Sequence, residues 1–347
     1  MKTKSVIESE AAEGYLITTP INVSYLTGFS GDSSELLITP NSIYLFTDSR
    51  YTLLAEKELQ DVEIITTNSA DRTKQIVKIL KKNNIKILGI EKDDLTVNRY
   101  EKYKEQFVCK DFVDISELLL NLRAKKTPTE IECIKTAAKG NEYVLNRLIE
   151  IIKPGVSELD IKAELLYLIY KQGMESAFAP IIASGLNSAV PHAVPTDKTI
   201  KNDDIITIDF GCKYNGYCSD ITRTFAVGDI DEQLKKIYHI VKDAQQKAVD
   251  YSKENGNAAE IDKIARDFIS EQGYGEYFGH GTGHGVGMAI HEKPVLNPSA
   301  NDLIEQDMVF TIEPGIYVPG LGGVRIEDTC IGNKGSIYTF TKDLIYL

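Results

Sequence analysis

The dipeptide Asn215-Gly216 most restricts how this chain can fold, because it separates two runs rich in β-branched and aromatic residues. A type I′ turn needs φ above zero at both central positions, and Asn-Gly meets that need better than almost any other pair. The sequence therefore predicts a hairpin with strands over 205–214 and 217–227. A two-residue loop makes Tyr214 face Tyr217, and counting outward sets Asp209 opposite Thr222. Asp220 then becomes the diagonal neighbour of Asp209 on the same face. Two carboxylates converging in this way repel, and a metal ion between them is a compact remedy. An isolated pair could equally be an exposed strand end, so a metal site needs further ligands.

With 347 residues the chain is long for one core, and its 42% hydrophobic content suffices for two. The first third alternates strand and helix patterns: GYLITT, a hairpin in ELLITPNSIYLFTD, a helix near 71–82 and the strand IKILGI. A break follows at LRAKKTPTEIE, where Thr127, Pro128 and Glu130 read as the N-cap, first residue and capping-box glutamate of a long helix. The expected domains are 1–123, of α/β type, and 124–347.

The formal net charge of −12 argues against a nucleic-acid binder, which needs a basic stripe to neutralise phosphates. Acidic residues interrupt the amino-terminal segment before any apolar stretch of signal-peptide length, and no run elsewhere approaches membrane-spanning length. A cytoplasmic enzyme without membrane attachment is expected. The five cysteines include no CxxC pair, which makes a disulfide framework or a thiolate zinc site poor readings, and Cys212 and Cys218 read as small packing residues.

Beyond residue 124 one pattern occurs twice. Helices over 128–152 and 157–172 lead to strands, and helices over 231–254 and 258–272 lead to more strands. At an offset of 100, Ile161, Ile169, Gln172 and Gly173 match Ile261, Ile269, Gln272 and Gly273. Two similar halves would then face each other with a site between them.

Four of the five histidines, His192, His280, His284 and His291, lie beside Gly- or Pro-rich turns, whereas His239 sits in a helical run. In YFGHGTGHGVGMAIHE the glycines permit close backbone approach and leave imidazoles unobstructed. A phosphate cradle would need the lysine and the following helix of a P-loop, and both are missing. Glu313 in TIEPGIY and Glu327 in GVRIEDT fall near the ends of two β-like segments. Asp209, Asp220, one loop histidine, Glu313 and Glu327 form an oxygen-rich set with too much negative charge for one divalent ion. Such a set suits two ions about 3.5–4 Å apart with a bridging water. The donor types favour Mn2+, Co2+, Fe2+ or Zn2+ over copper.

The order Asp-x10-Asp, GH-x6-HE, EPG and RIED resembles the pita-bread metallopeptidases, the group of methionine aminopeptidase, aminopeptidase P, prolidase and the metal-free creatinase. NVSYLTGFSG and LFTDSRYT look like the amino-terminal domain that aminopeptidase P, prolidase and creatinase carry. The resemblance implies a creatinase-like α/β domain over 1–123 and an α+β pita-bread catalytic domain over 124–347. It implies two divalent ions, Mn2+ first among them, held by Asp209, Asp220, His284, Glu313 and Glu327. His284 takes this role rather than His280 because the family's liganding histidine precedes the HE histidine, here His291, by seven residues. His280 then matches a substrate-side histidine, and His192 and His291 match the other active-site histidines.

The implied chemistry is hydrolysis of an Xaa-Pro bond through a metal-bridging hydroxide. Glu313 is the implied proton shuttle, and His291 and His192 stabilise the oxyanion and assist the leaving nitrogen. Arg325, two residues before Glu327 and so on the same strand face, supports the carboxylates together with Thr222, an ordinary surface ion pair being the alternative for Arg325. The expected substrate is a peptide with proline at its second position, in a homodimeric enzyme. Gly281 supplies no cation after His280 for a dipeptide's carboxylate, so an aminopeptidase is preferred over a prolidase acting on Xaa-Pro dipeptides. A metal-free binding protein on the same fold is the reading from a different class, and the intact ligand set speaks against it.

Overall fold

The computed structural model describes residues 2–254 and 256–347. The chain divides into two compact units, Met1–Arg123 and Ala124–Leu347.

In the first unit a six-stranded sheet runs in the order Glu63–Thr66, Ile43–Thr47, Glu35–Ile38, Gly14–Ile17, Ile87–Ile90 and Asp111–Asp114. The central hairpin, with Leu37 opposite Tyr44, is antiparallel, and both flanks are parallel. The helix Ser69–Lys82 carries the chain from the edge strand Glu63–Thr66 back to Ile87–Ile90, and Val97–Gln106 lies in the crossover between the parallel neighbours Ile87–Ile90 and Asp111–Asp114. Asn68 caps the first of these by accepting from the Asp71 amide, so that helix begins two residues before the position read from the sequence. Leu16, Leu37, Phe46, Leu80 and Leu88 fill the core beneath.

The second unit is built on an antiparallel sheet. Its main path runs Glu292–Leu296, Gly283–Gly285, Val309–Ile312, Glu327–Ile331, Ile221–Ala226, Ile205–Phe210 and Ile181–Ser184. Two helix pairs pack with it. Pro128–Leu148 and Glu158–Lys171 share one hydrophobic cluster with the Ile205 and Ile221 strands, and Glu232–Glu254 and Ala258–Glu271 share another with the Val309 strand. The helix at Pro128 starts on the capping box of Thr127 and Glu130.

The offset of 100 has a structural counterpart. Ile161 and Ile169 are fully buried in one cluster, Ile261 and Ile269 in the other. Each such isoleucine contributes about 1.5–3 kcal/mol by leaving water. Both second helices end alike, on Gln172 and Gln272, followed by Gly173 at φ +70° and Gly273 at φ +86°. The left-handed glycine ends the helix and turns the chain toward the sheet.

The Asn215-Gly216 turn has φ of +47° and +82°, and Tyr214 pairs with Tyr217 and Asp209 with Thr222. Neither long strand is continuous, however. The first breaks between Phe210 and Cys212 and the second between Cys218 and Ile221, so the hairpin tip joins Glu175–Ser176 in a separate three-stranded sheet. Gly211 is the cause: a Cβ there would lie 2.0 Å from the Ser219 carbonyl oxygen, an approach open only to glycine. Cys212 and Cys218 are buried. Among the described residues no helix is long and apolar enough to cross a membrane.

Candidate metal centre

The break in the hairpin gives Asp220 its position. Its amide donates to Thr329 Oγ1 at 3.1 Å, and its carbonyl accepts from Thr329 Oγ1 at 2.8 Å and Tyr338 Oη at 2.7 Å. Asp209, one strand away, and Glu327, the first residue of its strand, complete a row across three adjacent strands. His284 comes from the Gly283–Gly285 strand. A Cβ at Gly283 would lie 2.0 Å from the Thr311 carbonyl oxygen, so glycine is what lets the histidine strand approach its neighbour. Glu313 follows the Val309–Ile312 strand.

These side chains meet at a cavity of about 620 Å³. Candidate ligand atoms of Asp220, His284 and Glu327 lie within 4.8 Å of one another. Glu313 Oε1 stands 3.3 Å from His284 Nε2 and accepts from Thr311 Oγ1 at 3.0 Å. Asp209 accepts from Arg325 Nη2 at 2.6 Å through Oδ2. Glu327 accepts from Thr222 Oγ1 at 2.6 Å through Oε2, and Thr222 Oγ1 in turn accepts from Arg325 Nε at 3.2 Å.

Among the described residues, the buried side-chain atoms without a hydrogen-bond partner include Asp209 Oδ1, Asp220 Oδ1 and Glu327 Oε1. In Asp209 and Glu327 the protein holds one oxygen and leaves the other free. A buried carboxylate oxygen without a donor costs about 1–3 kcal/mol or more, so three together are expected only where a cation satisfies them. Burial first, then neighbouring negative charge, raises the pKa of Asp220 and Glu327 well above the carboxylate range. Burial also raises Asp209 against the pull of Arg325. Burial works the same way on Glu313, but His284 outweighs it and holds this carboxyl at about 2. The donor set fits divalent metal.

His284 has Nδ1 3.0 Å from the Gly285 carbonyl oxygen, which accepts the Nδ1–H hydrogen bond and leaves Nε2 facing the acids. His280 differs. Its Nδ1 lies 2.8 Å from the Gly281 carbonyl oxygen and its Nε2 2.9 Å from Tyr317 Oη, so both ring nitrogens are occupied. It lines the cavity without being free to donate. His291 packs edge-on against His284 at 4.2 Å between ring centroids, and burial together with the charge of His284 lowers its pKa. His192 lines the same cavity from an exposed loop. His239 is exposed on its helix, away from the cavity lining.

Arg325 reaches its partners by a different route from the one the spacing suggests. It ends Gly322–Arg325, a strand of a two-stranded ribbon, and Ile326 separates it from the strand that begins at Glu327. The two residues share no continuous strand. The guanidinium instead bridges Asp209, Thr222, Tyr317 and the Pro191 carbonyl. Tyr317, absent from the sequence reading, lies in the strand Gly315–Val318 and links Arg325 to His280, and its place four residues after Glu313 was the signal available. Thr311 and Thr329 were missed as well, although each lies two residues from a predicted ligand and so on its strand face.

Comparison with known proteins gives consistent matches. The family described as Metallopeptidase family M24 matches residues 132–332, and the Creatinase/Prolidase N-terminal domain matches residues 2–125. The chain is 38% identical to an Xaa-Pro dipeptidase from Pyrococcus furiosus, over 98% of this chain and 97% of that one. A solved structure of an Xaa-Pro dipeptidase from Bacillus anthracis superposes with a TM-score of 0.93 at 40% identity, covering 100% of this chain and 98% of the other. The X-Pro aminopeptidase from Thermotoga maritima gives 0.91 at 33% identity, covering 99% of this chain and 100% of that one.

Proposed function

Because the chain belongs to Metallopeptidase family M24 and has the pita-bread catalytic domain with a creatinase-type amino-terminal domain, we propose that it hydrolyses the bond preceding proline, with the Xaa-Pro dipeptide as preferred substrate. The observation that carries this reading is the cavity in which Asp209, Asp220 and Glu327 each keep a buried, unpaired oxygen beside His284 and Glu313.

Asp209, Asp220, His284, Glu313 and Glu327 would hold two divalent ions, with Mn2+ first among the candidates, and such ions polarise a carbonyl and acidify water. The chain's own residues do the rest. Arg325 and Thr222 fix one oxygen of Asp209 and of Glu327, which sets the direction of the other. The acidic wall receives the substrate's α-ammonium. Glu313, at the edge of the acidic cluster beside the reacting carbonyl's place in the cavity, takes and returns the proton. His291 and His192 line the cavity and hydrogen-bond nothing else among the described residues, which suits them to contact the scissile carbonyl and the proline nitrogen.

The dipeptide replaces the longer peptide that Gly281 suggested. Relatives named Xaa-Pro dipeptidases, matching nearly end to end, support it. The aminopeptidase reading keeps two supports: Gly281 provides no cation, and the Thermotoga maritima structure, named an aminopeptidase, superposes almost as well. A side-by-side measurement of kcat/KM for Xaa-Pro and Xaa-Pro-Pro, with Mn2+ and Co2+ supplied in turn, decides. The dipeptide should be cleaved faster. A clear preference for the tripeptide moves the assignment to aminopeptidase, and no cleavage of either with metal bound overturns the peptidase reading.

A further inference from the structure

The cavity that holds the acids also carries a basic side chain that finds no partner among the described residues. Lys162, on the helix Glu158–Lys171, is half-buried and lines the cavity together with Phe178, Pro180, Val194 and Pro195. The other Lys or Arg lining it is Arg325, whose guanidinium is committed to Asp209, Thr222, Tyr317 and the Pro191 carbonyl. Lys162 has no hydrogen bond or ion pair among the described residues.

Its obvious neutralising neighbour is Glu158, one helical turn earlier. That carboxylate is taken. Oε1 accepts from the Ser184 amide and hydroxyl, both at 2.8 Å, and Oε2 from the Thr196 amide at 3.0 Å and hydroxyl at 2.8 Å. Asn187 Nδ2 adds contacts at 3.1 and 3.2 Å. Asp160 is likewise occupied, capping the helix through Ser157. The fold thus keeps a lysine uncompensated at the wall of an acid-rich cavity, at a desolvation cost that an incoming anion would offset.

We infer that Lys162 is a specificity-determining residue whose ammonium receives the free α-carboxylate of the Xaa-Pro dipeptide. The proline ring rests on Phe178, Pro180 and Val194. This rests on the dipeptidase reading. Ile181, beside that wall, pairs directly with Asp209 on the adjacent strand, about 5 Å away, so the apolar wall stands next to the acids. Acid at one end and Lys162 at the other match the dipeptide's zwitterion, whereas a longer peptide presents a neutral amide where the carboxylate would be.

The test uses the full-length, metal-loaded enzyme with alanyl-proline and alanyl-proline amide, which differ only in the terminal charge. The wild type should favour the acid by about tenfold in KM. Lys162→Met should raise KM for the acid by about tenfold while kcat changes less than about twofold, collapsing the preference, and Lys162→Arg should restore it. The acid-to-amide ratio cancels the folded fraction, so it remains decisive even if the variant is less stable. A Lys162→Met enzyme that keeps the wild-type ratio overturns the assignment of Lys162 and leaves the dipeptidase reading standing. A wild type that prefers the amide and the tripeptide overturns both.

Discussion

Arg325 Nη2 lies 2.6 Å from Asp209 Oδ2, and the same guanidinium donates to Thr222 Oγ1, which donates to Glu327 Oε2. One side chain therefore orients two carboxylates on different strands. Lysine cannot imitate this, because a point charge lacks the planar fork that serves several acceptors at once. Arg325→Lys should lower kcat/KM and metal affinity by about 10- to 100-fold. Metal titration alongside steady-state rates checks it, and wild-type metal affinity would show that Asp209 holds its orientation unaided.

His284 and His280 should separate cleanly. His284→Ala removes Nε2 beside Glu313 and Asp220, so metal content and activity should fall together. His280, with both ring nitrogens bound to Gly281 and Tyr317, should on replacement by Ala keep its metal and affect mainly substrate use. Metal analysis of the two purified variants reads this directly. Asp220→Asn serves as the reference, since loss of at least one ion is expected there.

Glu158 predicts a pH dependence away from the metal. Burial disfavours its charge, but the hydrogen bonds from Ser184 and Thr196 outweigh burial and lower its pKa. A depressed folded-state pKa contributes stability that is present above the unfolded value of about 4.3 and is lost as pH falls through the folded value. Glu158→Gln should cost about 1–3 kcal/mol at pH 7, and its deficit relative to wild type should shrink as the pH drops below about 4. Urea unfolding at pH 7 and at about pH 3 measures the difference. An equal deficit at both would mean that the charge itself contributes nothing.

What the sequence disclosed, and what it withheld, follows the range of the interactions. The Asn215-Gly216 turn fixes a register by local backbone chemistry, and that register carries through to Asp209 and Thr222 despite the break at Gly211. Thr127 and Glu130 announce a helix start for the same reason. The path of Arg325 was not legible, because strand alternation holds only while a strand continues and the chain leaves its ribbon at Ile326. Tyr317 and Lys162 were hidden for a different reason. A tyrosine in a short strand and a lysine on a helix are ordinary in sequence, and only the folded chain brings the first to His280 and the second to the cavity beside Pro180.

The two similar halves contribute unequally to the acid-lined cavity. Asp209 and Asp220 come from the first, and His284, Glu313 and Glu327 from the second. Neither half owns a complete donor set, and the bonds from Arg325 to Asp209 and from Thr222 to Glu327 cross between them. An ion seated there would fasten one repeat to the other. Resistance to unfolding should accordingly climb with the logarithm of free metal concentration above the dissociation constant, so that the proposed metal centre would double as the clasp of the domain.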